Sequence, residues 1–221
     1  MKKYIRNGFI TALYYYSKVF RVFYDYRVVS RFQYLKNIIF TFSNSGLFRK
    51  FGRGSVISYT CILKNPKYIS IGDNTSIADR TVVTAWDFYE GQKYNPIISI
   101  GEMTNIGSDC HITAINEIII GDGVLFGKKV TVTDNSHGMT TNDQLDIKPK
   151  KRKLFSKGSV IIEDNVWVGD KVTILPGVKI GKSAIIAANS VVTRNVPENC
   201  VVAGNPARIV KQMNIEKANT W

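Results

Sequence analysis

The sequence predicts an all-β solenoid, a parallel β-helix with a helical segment at its N-terminus and a short helix at its C-terminal end. The first observation behind this is a strict period of six over residues 162–197, where Ile162, Val168, Ile174, Ile180, Ile186 and Val192 open successive hexads. An α-helix needs apolar residues every three or four positions and an ordinary strand alternates at two, so this period fits neither. Six residues make one short strand and a turn, and three such sides close a triangular coil whose Ile and Val side chains stack over those of the next coil. The second observation is that the same period extends back to residue 51. The third is that residues 1–50 lack it, so the chain divides into a segment 1–50, a solenoid 51–212 and a tail 213–221.

Residues 1–50 are dense in Tyr, Phe, Arg and Lys. Apolar residues at Ile5, Phe9, Leu13, Tyr16, Val19, Phe23 and Tyr26 recur at three or four, which predicts helix. Such a segment can cap the open end of a β-helix, whose last coil otherwise exposes an edge and an apolar cross-section. It can also rest on an anionic membrane through basic and aromatic side chains. The sequence leaves both open.

Three hexads per coil give six coils starting near residues 51, 71, 100, 120, 162 and 180. The predicted stacks are Ile71/Ile100/Ile120/Ile162/Ile180, Ile77/Ile106/Phe126/Val168/Ile186 and Val83/Ile112/Val132/Ile174/Val192. Thr84–Pro96 and residues 138–158 break the period and read as loops extruded from corners. After Pro206, residues Ala207–Met213 are expected to form a short closing helix.

The net charge of +13 lies mainly in two patches. One is residues 1–53; the other is Lys148, Lys150, Lys151, Arg152, Lys153 and Lys157. Either patch suits an anionic partner, phosphates or an acidic membrane surface, and either is also compatible with a solvated face. Cys61, Cys110 and Cys200 are odd in number and lack CxxC spacing, which disfavours a disulfide framework or a zinc site and fits a reducing cytosol. Cys61 and Cys110 fall at hexad positions that want a small buried side chain. The apolar run Ile38–Phe42 is too short to span a bilayer, and no signal peptide is read at the N-terminus. Location in the cytoplasm, with peripheral contact at the inner membrane face through residues 1–50, is the expectation.

The segments I162-E-D-N-V-W-V-G-D, I174-L-P-G-V, A187-A-N-S-V-V-T-R-N-V-P and A203-G-N-P-A-R resemble the hexapeptide-repeat acyltransferases of the left-handed parallel β-helix superfamily. The chain is most similar to the galactoside and maltose O-acetyltransferases and to sugar O-acetyltransferases of bacterial polysaccharide clusters. The resemblance covers about residues 54–212, and it supplies the left hand of the coil, since parallel crossovers are otherwise right-handed. It implies acetyl-CoA as co-substrate, no metal, a homotrimer with sites between subunits, a sugar acceptor and no nucleic acid.

The resemblance also implies site residues. In such enzymes a histidine takes the proton of the attacking hydroxyl or amine, a task for a base with a pKa near neutrality. His137, in T133-D-N-S-H-G, stands where the family places it, and His111 is the sole other histidine in the sequence. Asn135 replaces a further histidine of many relatives. Asp109, His111, Asn116 and Asn135 are expected to bind acceptor, and Asp134 or Glu117 to orient the imidazole. Donor binding falls to Trp167, Asp170, Ala188, Thr193, Arg194, Arg208 and Lys211, the last two meeting nucleotide phosphates. N-acetylation of an amino sugar or xenobiotic uses the same base. A non-catalytic binding scaffold is the reading from another class, disfavoured because His137 and the basic residues occur together. A zinc-dependent carbonic anhydrase on the same coil needs three histidines and fits poorly.

Overall fold

A computed structural model of the chain describes residues 2–139 and 141–213. Three helices, α1 (Lys2–Val19), α2 (Arg21–Tyr24) and α3 (Tyr26–Asn44), precede a left-handed parallel β-helix. Each coil lays one short strand on each of three faces, giving parallel sheets joined coil to coil. On the first face Ile71, Ile100, Ile120, Ile162 and Ile180 are in register. On the third, Val83, Ile112, Val132, Ile174 and Val192 align in the same way. All ten are buried. The second face stacks Ile57, Ile77 and Ile106 below Phe126, Val168, Ile186 and Val202. The predicted stacks are therefore those of the fold.

The corners hold the coils in register. Between the first and second faces, Ser55, Thr75 and Thr104 point inward, each hydroxyl donating to a carbonyl of the next coil (Thr75 Oγ1 to Gly101 O, 2.6 Å; Thr104 Oγ1 to Gly121 O, 2.8 Å). Each also accepts an amide from that coil, so the buried hydroxyls are satisfied. Later coils replace them with Val124, Val166 and Ala184, which need no partner. Corner carboxylates do the same work outside: Asp122 Oδ1 accepts the Glu102 N–H at 2.7 Å and Asp170 Oδ1 that of Lys128 at 2.8 Å. Coils approach so closely that a Cβ on Gly107 would strike the Gly127 carbonyl. Cys110 is buried and Cys61 half-buried, and burial pushes both thiols up to about 11.

The two ends are closed by different devices. The C-terminal part of α3 lies on the edge strand Val56–Ile57, where buried Thr41 accepts the Ile57 N–H (2.9 Å) and faces its carbonyl (3.2 Å), replacing the missing coil. The apolar and aromatic residues that set the helical period in α1 and α2, Phe9, Leu13, Tyr16 and Phe23, stay exposed together with Tyr26 at the start of α3. The cap is thus one end of α3. At the other end the expected closing helix is a strand: Ala207–Gln212 pairs antiparallel with Cys200–Gly204 after a turn at Gly204–Pro206. A helix of about two turns is marginal alone, whereas the open edge offered a row of unpaired backbone groups to the β-branched Ile209 and Val210. The tail beyond residue 213 lies outside the described residues. No described helix is long and apolar enough to cross a membrane.

Candidate active site

Both departures from the period leave the same corner, between the third and first faces. The first carries a hairpin, Phe88–Tyr89 against Gln92–Lys93; the second pairs Ser136–His137 antiparallel with Leu154–Phe155. They interlock. Tyr89 Oη donates to Lys150 O (2.8 Å), Tyr94 Oη bonds both Leu154 backbone groups (2.9 and 3.1 Å), and Lys151 pairs with Glu90 (3.1 Å). The Tyr89 ring meets the His137 imidazole edge-on at 5.3 Å between centroids. His137 is exposed on this hairpin, ordered by a strand partner and an aromatic neighbour.

Two clefts flank the hairpin. One, of about 610 Å³, lies toward the earlier coils and is lined by Gln92, Tyr94, Asn116 and Leu154, with Ile115 at its floor. The other, of about 570 Å³, lies toward the later coils and is lined by Thr133, Asn135, Met139, Leu175, Pro176 and Thr193. Each is within reach of the hairpin that carries the imidazole, because Leu154 lines the first and Ser136 and Gly138 line the second. The arrangement sets an imidazole on a ridge between a polar and a more apolar recess.

Of the residues singled out in the sequence, Asn116, Asn135 and Thr193 join His137 here, with Arg194 exposed beside Thr193. The others lie elsewhere. Asp109 is at the corner between the second and third faces, its carboxylate held bidentately by Arg80 (2.7 and 2.8 Å), which keeps it below the usual carboxylate range. His111 opens the third-face strand His111–Ala114; partial burial of its ring disfavours the charged form and lowers its pKa. Asp170 and Ala188 occupy that same distant corner, and Asp170 is committed to the Lys128 amide. Trp167 (53% exposed) projects from the second face between Leu125 and Ile185, with Arg208 and Lys211 on the terminal strand of that face. The second face lies opposite the corner that bears His137, so one chain does not bring these residues together. Among the described residues no group of three His, Cys, Asp or Glu side chains is placed to hold a metal.

Neither carboxylate expected to orient the imidazole does so within the chain. Asp134 is buried, and its oxygens accept the N–H groups of Ile115 (2.9 Å) and Asn116 (2.7 Å) and the Asn135 side-chain amide (3.0 Å). Glu117 accepts from Ser159 Oγ at 2.7 Å. Glu117 opens the first-face strand Glu117–Ile120, whereas the chain leaves the coil after Asp134 and carries His137 out on the hairpin. The contact that the sequence did not reveal is Tyr89, whose partner lies 48 positions away with no periodic signal to join them. Asp134→Ala is expected to lower stability by about 1–3 kcal/mol, because it strands buried amides, and to leave the pH profile of transfer in place. Denaturant midpoints and rate–pH curves check this; an unchanged midpoint with a displaced acid limb would return Asp134 to an orienting role.

Residues 159–194 match the family model described as bacterial transferase hexapeptide (six repeats). The chain is 34% identical over 165 residues, 73% of its own length and 80% of the relative's, to the putative lipopolysaccharide biosynthesis O-acetyl transferase WbbJ of Escherichia coli K12. It superposes on a maltose O-acetyltransferase of Clostridium difficile 630 with TM-score 0.52, at 26% identity, covering 76% of this chain and 72% of that one. The N-acyltransferase AntD of Bacillus cereus shares the fold at TM-score 0.63 and 20% identity, over 78% and 87% of the two chains. By its repeat, its coil and a relative matched over four-fifths of its length, the chain belongs to the hexapeptide-repeat acetyltransferases and is an acyltransferase.

Proposed function

We propose that the protein transfers an acetyl group from acetyl-CoA to a hydroxyl of a sugar, in the cytoplasm, during assembly of a bacterial surface polysaccharide. The observation that carries this is the placement of His137 on a ridge between two clefts of unequal polarity, in a chain related to O-acetyltransferases. The acceptor occupies the cleft lined by Gln92, Tyr94 and Asn116. The pantetheine arm occupies the more apolar cleft lined by Leu175, Pro176 and Thr193. His137 takes the acceptor proton as the hydroxyl oxygen attacks the thioester carbonyl. The tetrahedral intermediate then expels the sulfur with cleavage of the C–S bond, and the imidazolium returns its proton to the leaving thiolate. Tyr89 keeps the ring from swinging into solvent. His137→Ala is expected to fold, to bind CoA and to lose about 100- to 10,000-fold in rate. Thiol release from acetyl-CoA against a panel of sugars reads this out, with amino sugars included to separate nitrogen from oxygen acceptors. Near-wild-type turnover in the variant overturns the assignment.

The working form is a homotrimer in this reading. What supports it is geometry: Trp167, Arg208 and Lys211 lie on a flat face turned away from their own His137, where an adjacent copy can bring its own cleft against them. Identical flat sides pack by closed rotational symmetry. Light scattering is expected to give three times the 24.8 kDa chain mass. A fully active monomer excludes the shared site.

The N-terminal helices supply an anionic-membrane contact on the same reading. Between Lys2 and Asn44 eight Lys and Arg face a single acid, Asp25, whose side chain accepts the Arg27 N–H within α3. Phe9, Tyr15, Phe23, Tyr24 and Phe32 are all exposed among them, which suits an interfacial helix. Cosedimentation with phosphatidylglycerol vesicles, falling as salt rises and absent with phosphatidylcholine alone, is expected. Equal recovery with both lipids leaves these helices without a charge-selective membrane role.

A further inference from the structure

A third cleft, of about 450 Å³, adjoins both others: it shares Gln92, Leu154 and Phe155 with the acceptor cleft and Gly138, Met139 and Phe155 with the pantetheine cleft. Its wall is cationic: Lys151 ends the 3-10 turn Pro149–Lys151, and Arg152 and Lys153 follow it into the return strand Leu154–Phe155. Lys151 is matched by Glu90. Arg152 is not. It is half-buried, its Nε donates to Ile147 O (2.9 Å), and no described carboxylate lies within ion-pairing distance of it. Its stem crosses Gly138, so closely that a Cβ there would lie 2.9 Å from Arg152 Cδ. Gly138 follows His137 directly. The acids of the excursion do not compensate: Asp143 is held by Gln144 and Thr141, and Asp146 is the one other. An exposed guanidinium with both Nη groups uncommitted, its stem packed over the residue that follows His137, is a fork for a phosphate or diphosphate.

We infer that the acceptor is a phosphate-bearing saccharide, its anionic group seated on Arg152 and Lys153 while the sugar hydroxyl reaches His137. This rests on the sugar O-acetyltransferase reading and narrows its substrate class. Phosphate linked to a nucleoside and diphosphate linked to a lipid carrier present the same chemistry to this wall. CoA, the other phosphate-bearing molecule in the reaction, is assigned by its pantetheine arm to a cleft that also borders this wall, so the seat is told from a CoA phosphate site by which KM responds.

The test offers each hexose of a panel as the free sugar, as its uridine diphosphate derivative and as its farnesyl diphosphate derivative, with thiol release as readout. At least one diphosphate form is expected to show a KM at least about tenfold below the free sugar, with the margin shrinking as salt rises. Which form wins identifies the carrier. Arg152→Gln is expected to raise that acceptor KM about 10- to 100-fold, the loss of a charge-assisted hydrogen bond, with the effect falling on the acceptor and not on acetyl-CoA. Arg152→Lys is expected to recover part of it, which separates lost charge from a disturbed loop. Free sugars used as well as their diphosphates, or a shift that falls on the acetyl-CoA KM, overturns the inference. Calorimetry with inorganic pyrophosphate stands apart from turnover. Binding to wild type that Arg152→Gln abolishes supports the anion seat even if no sugar is acetylated, in which case the acetyltransfer reading alone fails; no pyrophosphate binding to wild type sinks the seat.

Discussion

The whole molecule depends on each coil returning an inward Ile or Val to the position above its predecessor. Parallel strands tolerate no drift here, because the backbone groups of each coil find their partners only in the coils above and below. The corners leave no slack: glycine contacts coil to coil, inward hydroxyls and outward carboxylates all assume a fixed spacing. Extra residues must therefore leave the coil entirely, return to the same point, and satisfy their own backbone outside it. Both excursions do so as hairpins, at one corner.

That constraint builds the site. Two insertions leaving the same corner two coils apart project side by side, with the corner of the intervening coil, Ile115–Asn116, as the floor between them. Asp134 holds this floor through two backbone amides, so a residue expected to orient the imidazole instead fixes the surface beneath the cleft lined by Gln92, Tyr94 and Asn116. Neither hairpin is stable alone. Tyr89, Tyr94 and Glu90 of one brace Lys150, Leu154 and Lys151 of the other, and the imidazole is set where they meet.

What was legible in the sequence follows the same line. Registers from Ile71 to Val192 could be counted, because a period of six fixes which side chains point inward. His137 could be singled out because its motif is local. Residues whose role depends on leaving the period could not be placed by counting: Glu117 loses its predicted neighbour at Asp134, and Tyr89 gains one across 48 residues. The C-terminal strand was missed for a related reason. Ile209 and Val210 favour strand, but a proline before a short segment also suits a helix, and the sheet edge that decides between them exists only once the last coil has formed.

Opposite faces explain why donor residues named from sequence scatter over a single chain. A triangular solenoid has one long axis and a cross-section of a few side chains, so it has no interior left for a site once the core is filled. Chemistry must sit on the outside, where water reaches it. The interlocked hairpins flank the His137 imidazole on one side; on the proposed reading the other side needs a wall that the chain cannot fold around to supply. In the proposed trimer that wall is the face bearing Trp167, Leu125 and Ile185, which are exposed or half-exposed and apolar. Association would then do for this enzyme what a second domain does in a globular one, burying an apolar stripe and closing the thioester away from solvent in the same step.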